Sequence, residues 1–433
     1  MEFSEGSGSD ALAGVSELVQ SRVQAADRDL AQDFVERFFA GVAEADLAAH
    51  DPADLYGLAL SHLELAHRRL PGTCRIRVLN PDIERHGFVS THTLVQIVND
   101  DMPFLVDSVH LAVARADLAI HLTIHPVMPV RRDGDGRLIG LGGPDARPES
   151  FILVEVDRRS DQPALARLEA ELQRGIEDVR KAVRDWQPMR AKVGEAADGI
   201  STLPGDVAEP VAFLRWLADD HFTFLGYATY DLVDTGDGLD LVQVPGSALG
   251  ILAIPEGEAG GQPRSGGLAA LPPEMREHAI QPDPPVVVSK ASTRATVHRP
   301  SYLDYVGVKR YGPDGQVVGE HRFLGLFTSV AYSLPPHDIP LLRGKVQGVL
   351  DAMQLPAHGH AAKALAHILD TWPRDELFQM DRAQLLATAR ATLQLQDRSR
   401  LKLFLRQDRF SRFFSVLLYV PRERWTTSVR AQI

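Results

Sequence analysis

Between residues 91 and 186 the hydrophobic period switches from about 2 to about 3.6 and back, and few folds accept that order of switches. THTLVQIV is β-branched and apolar, a strand pattern, and it runs straight into Asn99, Asp100 and Asp101. Side chains of this kind accept hydrogen bonds from the free NH groups of a helix start, and Pro103 pre-sets φ there. Leu105, Val109, Ala112 and Ala116 then recur at helical spacing. In AIHLTIHPVMPV the residues alternate, Ile120, Leu122, Ile124, Met128 and Val130 on one face against His121, Thr123 and His125 on the other. RRDGDGRL carries Asp-Gly turn chemistry, SFILVEVD reads as another strand, and Leu165, Leu168, Leu172, Ile176, Val179, Val183 and Trp186 mark a long amphipathic helix opened near Asp161 and Pro163. Strand, helix, strand, strand, helix is the order of a ferredoxin-like split βαβ unit, which one further strand would complete.

The fold class expected for the whole chain is α+β. Residues 1–10 read as a disordered Gly/Ser tail, and 11–80 as a helical region in which Leu30, Phe34, Phe38 and Val42, then Leu55, Ala59, Leu63, Ala66 and Leu70, hold one face. Residues 88–190 form the βαββαβ-type module, and 191–209, poor in large apolar groups, read as a linker. A second α+β region spans 210–395. Its strands are expected in HFTFLGYATYDL, PVVVSKAS, YLDYVGVKRY and, after a GPDG turn, GEHRFLGLFTSVAYS. Gly/Pro-rich sequence at 255–285 predicts a long loop, and helical sequence at 339–389 is interrupted at Pro356 and Pro373. Residues 400–433 read as a hairpin followed by the first turns of a helix, with Val429 and Ile433 four apart. So short a helix is marginal in water, which predicts a chain that ends inside a domain of something longer.

Charge narrows the function classes. Lys plus Arg number 46 and Asp plus Glu 58, so 46 − 58 = −12, and no basic, aromatic-studded stripe offsets the repulsion of phosphate; nucleic acid is not an expected partner. No run approaches the roughly 20 apolar residues of a membrane span, and MEFSEGSGSD lacks the features of a secretory signal. The single cysteine, Cys74, can form neither an internal disulfide nor a thiolate cage; a cytoplasmic protein away from membranes is the expectation.

Chemistry-bearing motifs are scarce. GLGGPD at 140–145 fails the spacing of the dinucleotide fingerprint and sits beside a turn, and GxxxxGK[ST], HExxH, EF-hand and GxSxG patterns are all missing. Asp100 and Asp101 have three readings: a helix cap, favoured by the helix dipole; a turn that holds a small ligand; and a paired acid and base, for which no partner is evident. His121 and His125, with His92 from a neighbouring strand, could in geometry ligate a metal, but a solvated or helix-covered polar face is the plainer reading and no metal is predicted. His358, His360 and His367 read as a loop entering a helix, and Cys74 as a small buried side chain.

THTLVQIVNDDMPFLVDSV, FLRWLADDHFTFLGY, RFLGLFTSVAYS and RFFSVLLYVPRERW, in that order, resemble the N-terminal part of the large, multidomain NAD-specific glutamate dehydrogenases of bacteria. The resemblance runs from about Leu30 to the last residue. It implies ACT-type βαββαβ modules and helical segments placed ahead of a catalytic part that these residues do not contain. NAD would then serve the longer enzyme and no cofactor this chain, which alone is expected to be inactive. The remainder of that polypeptide, further copies of the chain and an amino-acid effector are the partners implied. ACT modules carry an acidic residue and then x-Pro-Gly-Leu at the first strand-to-helix turn; Asp101, Met102, Pro103, Phe104 and Leu105 occupy those places. The candidate effector or interface turn is therefore Asn99, Asp100, Asp101, Met102 and Phe104. Phe104 stands where the pattern has glycine, so a phenyl ring fills space that ligand would use and an interface or core contact becomes the expected role. A stand-alone amino-acid sensor of ACT type is the alternative.

Overall fold

The computed structural model describes residues 8–253 apart from 235 and 237, then 280–356, 359–395, 400–408 and 413–432. It divides into two units, Met1–Val183 with Thr296–Pro300, and Arg184–Ala295 with Ser301–Ile433.

The first unit opens with four helices, α1 (Gly8–Arg22), α2 (Arg28–Phe39), α3 (Glu44–Ala48) and α4 (Pro52–Ala66). The Asp51 carboxylate accepts the Ala53 NH and Pro52 takes the first helical position, which fixes where α4 starts. Then come β1 (Arg75–Leu79), α5 (Ile83–His86), β2 (Thr93–Asp100), α6 (Leu105–Arg115), β3 (Ile120–Ile124), β4 (Val127–Arg132), β5 (Leu138–Leu141), β6 (Arg147–Val156) and α7 (Gln162–Ser201). The antiparallel sheet has the order β1-β2-β6-β4-β5, with β3 also paired to β6.

Both faces of its centre are buried, because alternate residues of β2 and β6 point opposite ways. Leu94, Val98, Phe151 and Leu153 share a core with Val15, Phe34, Phe38 and Leu58 of the first helices. Val95, Ile97, Ile152 and Val154 face the other way and are also fully buried. There Asn99 receives a hydrogen bond from Arg180 of α7, which places that helix on this side.

Three expectations for this unit change. The helix α1 already includes Gly8–Asp10, so the expected tail does not reach Asp10; residues 1–7 lie outside the described residues. The stretch read as purely helical ends in β1, whose alternating RIRVL pairs with β2 from Arg75↔Val98 to Leu79↔Leu94. That strand fills the sheet position beside β2 that the ferredoxin-like order assigns to a strand after α7.

In the second unit, α8 (Ala208–Trp216) and a π-helical turn (Leu217–His221) lead into a sheet of β7 (Phe222–Asp234), β8 (Leu239–Gln243), β9 (Leu249–Gly250), β10 (Val286–Arg294), β11 (Tyr302–Tyr311) and β12 (Val317–Phe327). The order is β10-β11-β12-β7-β8, antiparallel throughout, with β9 on β7. Helices α9 (Ser329–Ser333), α10 (Leu342–Met353), α11 (His360–Thr371), α12 (Arg374–Gln379) and α13 (Arg382–Leu393) follow. The end of the chain forms a hairpin of β13 (Lys402–Gln407) and β14 (Phe414–Tyr419) and then α14 (Thr427–Gln432).

The expected linker at 191–209 is instead helical as far as Ser201. Val193, Ala196, Ala197 and Ile200 fall at i, i+3, i+4 and i+7 and are buried in a core with Phe213, Leu214, Tyr227 and Phe323. Small side chains suffice there because the partners are large and aromatic. In GEHRFLGLFTSVAYS the strand stops at Phe327 and Ser329–Ser333 is helical. Most of the predicted Gly/Pro-rich loop lies outside the described residues, and Val286 already begins a strand. No helix among the described residues is long and apolar enough to cross a membrane.

Candidate functional site

The turn from β2 to α6 brings Asn99, Asp100, Asp101, Met102 and Phe104 together, yet neither aspartate caps the helix. Asp100 points back to the segment after α4. Its Oδ1 accepts from Arg69 Nη2 at 2.8 Å, and its Oδ2 from the Gly72 amide at 2.9 Å and from Arg180 at 3.3 Å. Arg180 also donates to Asn99 Oδ1 at 2.7 Å. Arg69, 1% exposed at its side chain, reaches Glu149 at 2.7 Å, and Arg132 donates to both oxygens of that carboxylate, each at 2.7 Å. Two carboxylates and three guanidiniums thus tie β2, β4, β6, α7 and the segment after α4 into one network. Burial alone would raise both carboxyls. Arg69, Gly72 and Arg180 at Asp100, and Arg132 and Arg69 at Glu149, outweigh it and hold both below the usual carboxylate range.

Asp101 looks the other way. Its Oδ1 accepts from Ser150 Oγ at 2.7 Å, and Ser150 Oγ lies 3.1 Å from His125 Nε2. Asp, Ser and His in line suggest a nucleophile at first sight, but the hydroxyl sits between the other two and gives its proton to a carboxylate. A serine nucleophile needs the imidazole in the middle. Ser150 is fully buried, and burial is the main reason His125 titrates below its ordinary value. The arrangement is a strut, and it offers no acid–base pair.

Phe104 adopts φ 71°, ψ 0°, the left-handed conformation that glycine takes up freely and L side chains resist. Its ring packs on the imidazole of His298, centroids 5.0 Å apart, and His298 Nδ1 lies 3.0 Å from Asp107 Oδ2. Phe104→Ala loses the ring and keeps the strain, whereas Phe104→Gly loses the ring and relieves it. Allowing for glycine's freer unfolded chain, the glycine variant is expected to be the more stable of the two by about 0.5–1 kcal/mol in urea titrations. Equal stabilities would mean that the backbone relaxes without the ring.

The histidines divide. The His92 and His121 rings meet with centroids 4.3 Å apart, tilted by 32°, and His92 Nδ1 lies 3.2 Å from the buried Glu155 carboxylate. His125 is elsewhere because β3 ends at Ile124 and the alternation stops with it. The third imidazole near Glu155 is His50, at 3.6 Å, whose pKa is raised to about 8, chiefly by its hydrogen bond to Glu155. No group of three or more ligating side chains among the described residues is set to hold a metal. Burial pushes the Cys74 thiol up to about 12, which leaves it unreactive.

In GLGGPD, Gly140 lies within β5, and Gly142 and Gly143 join β5 to β6, so the run leads from strand to strand and not from a strand into a helix as the dinucleotide fingerprint does. Sequence reasoning missed Arg69, Arg132, Glu149 and Arg180. The one trace of them was charge inside otherwise apolar strand runs, at Arg132 after VMPV and Glu149 before SFILV.

Comparison with known proteins gives three ordered matches. The ACT1 domain of glutamate dehydrogenase matches residues 34–172, helical motif 1 of glutamate dehydrogenase matches 339–398, and its ACT2 domain matches 402–433. The chain is 37% identical over 439 aligned residues to an NAD-specific glutamate dehydrogenase of Halomonas elongata, an alignment covering 98% of this chain and 27% of that protein. The Pseudomonas aeruginosa protein of the same name is 36% identical over 92% of this chain and 25% of its own length, and that of Mycobacterium tuberculosis 30% identical over 88% and 22%. The chain spans about a quarter of the length of the curated relatives it matches.

Proposed function

Because the chain belongs to the family of NAD-specific glutamate dehydrogenases, we propose that it forms a regulatory and assembly region of such an enzyme. The longer protein would convert glutamate and NAD to 2-oxoglutarate, ammonia and NADH in the cytoplasm, with the hydride-transfer chemistry in its remaining length. The ordered run of ACT1, helical motif 1 and ACT2 carries this reading. The Asn99–Phe104 turn supports a scaffolding role over an effector pocket: Asp100 and Asn99 are taken up by Arg69 and Arg180, and Phe104 is packed on His298.

The hairpin supports assembly. Leu405, Phe414 and Val416 share its outer face and are 63%, 67% and 59% exposed, and two strands alone make a marginal sheet. Further polypeptide of the longer protein would cover that face. The purified 433-residue chain is expected to give no glutamate-dependent NADH absorbance, while the longer protein does. Turnover by the chain alone would overturn the division of labour.

A further inference from the structure

We propose that His50, Glu155 and His92 form a pH-sensitive clamp that holds the connection between α3 and α4 against the end of β6 and releases it when one proton leaves. Glu155 continues the row of Phe151 and Leu153 toward the end of its strand and is 2% exposed. Its Oε2 faces two imidazoles, His92 Nδ1 at 3.2 Å and His50 Nε2 at 3.6 Å. The two arms differ in what they need. A neutral imidazole has one N–H, and His92 can carry it on Nδ1 and donate to Glu155. His50 cannot, because its Nδ1 lies 2.7 Å from the Asp46 carbonyl, an acceptor that takes the one proton of a neutral ring. Nε2 would then turn a lone pair toward a carboxylate oxygen. Only the imidazolium, with an N–H on each nitrogen, satisfies carbonyl and carboxylate together.

The groups around His50 set where that proton leaves. Glu155 of β6, the Asp46 carbonyl of α3 and the Asp54 carboxylate of α4 favour the cation and together outweigh burial, so the ring titrates at about 8. Beyond His92 the same corner holds His121, whose Nε2 lies 2.9 Å from Asp157, and Arg158 and Arg159, which donate to the Ser90 and Asp117 carbonyls. Since the folded value is raised, the clamp is closed below it and opens as pH climbs through it. About nine in ten His50 rings carry the proton at pH 7 and about one in ten at pH 9. The segment it holds is lightly anchored: α3 has five residues, and Leu47 is its one buried side chain. Segments with so little burial open at low cost, so one contact matters there. The clamp does not depend on the function proposed above.

Ring 15N and methyl 13C shifts of the 433-residue chain test it across that pH range. His50→Ala, at a partly exposed position, identifies the ring, and Leu47→Met the methyl signals. The His50 ring is expected to titrate near 8, and the Leu47 methyls to move with the same midpoint. Above it the neutral ring should carry its proton on Nδ1. In His50→Ala the Leu47 methyls should keep their high-pH position throughout, and in Glu155→Gln the His50 midpoint should fall by about one unit or more. Should Glu155→Gln fail to fold, the ring tautomer in the parent chain stands in for it. A His50 midpoint at or below 6.5, a neutral ring protonated on Nε2, Leu47 methyls that stay still, or a Leu47 transition that survives His50→Ala would each overturn the clamp.

Discussion

Arg69→Ala is expected to destabilise the first unit by about 3–5 kcal/mol, the usual penalty for removing one partner from a buried ion pair. Arg69 donates to Glu149, to Asp100 and to the Thr73 carbonyl, the last at 2.8 Å. Without it Glu149, 4% exposed at its side chain, keeps only Arg132 as a cationic partner among the described residues, and the cavity left by the guanidinium adds to the loss. Arg69→Lys should be intermediate, since one ammonium cannot span two carboxylates with the fork of a guanidinium. Hydrogen exchange at Val95 and Ile97, in the middle of β2, reads the opening of this unit directly. A loss below about 1 kcal/mol would mean that Arg132 and Arg180 hold the carboxylates unaided. Both carboxyls have folded pKa values below their unfolded ones. Their contribution is therefore present above the unfolded value and fades as pH falls through the folded value, and the Arg69→Ala effect should shrink in strong acid.

His62→Phe should flatten the acid limb of stability. His62 of α4 is fully buried beside Phe38 and Phe151, with Nε2 3.2 Å from the Ile97 carbonyl, and its Nδ1 has no partner among the described residues. Burial lowers its pKa from 6.5 to about 3. The unfolded chain therefore takes up a proton below pH 6.5 that the folded chain refuses, and stability falls as pH drops through that window. One such proton is worth about 1.4 kcal/mol per pH unit, so roughly 2 kcal/mol is lost by pH 5. His110 and His125 are lowered too, chiefly by burial, and act in the same direction, so the variant loses one proton's slope and keeps a remainder. His50 has the opposite sign: raised to about 8, it stabilises below 6.5 and loses that contribution as pH climbs past its folded value. An unchanged slope between pH 6.5 and 5 in His62→Phe, read at the β2 amides, would show that the folded core accepts the proton.

Local pattern was legible wherever large side chains carried it. THTLVQIV, SFILVEVD and the Leu165–Val179 stripe stand where their periodicity puts them, and the α+β class follows. Residues 191–209 misled because alanine was not counted as core, although Ala196 and Ala197 bury against aromatic rings. The aspartates of the turn misled for another reason: their partners Arg69, Arg180 and Ser150 lie 31, 80 and 49 residues away, and no spacing rule reaches that far. His92 and His121 do meet, but His125 could be removed from the group only by knowing where β3 ends.

The early position of β1 alters the order in which the sheet can close. A ferredoxin-like module that waits for its last strand must bring together the two ends of its sequence, a distant pairing that slows folding. Here Leu79 pairs with Leu94 across a short connection, so the outer ladder is among the most local in the unit. Emerging from a ribosome, the strands of this sheet are all synthesised by Val156. With that place beside β2 already occupied, α7 has no strand to deliver, and its sequence is free to stay helical for 40 residues.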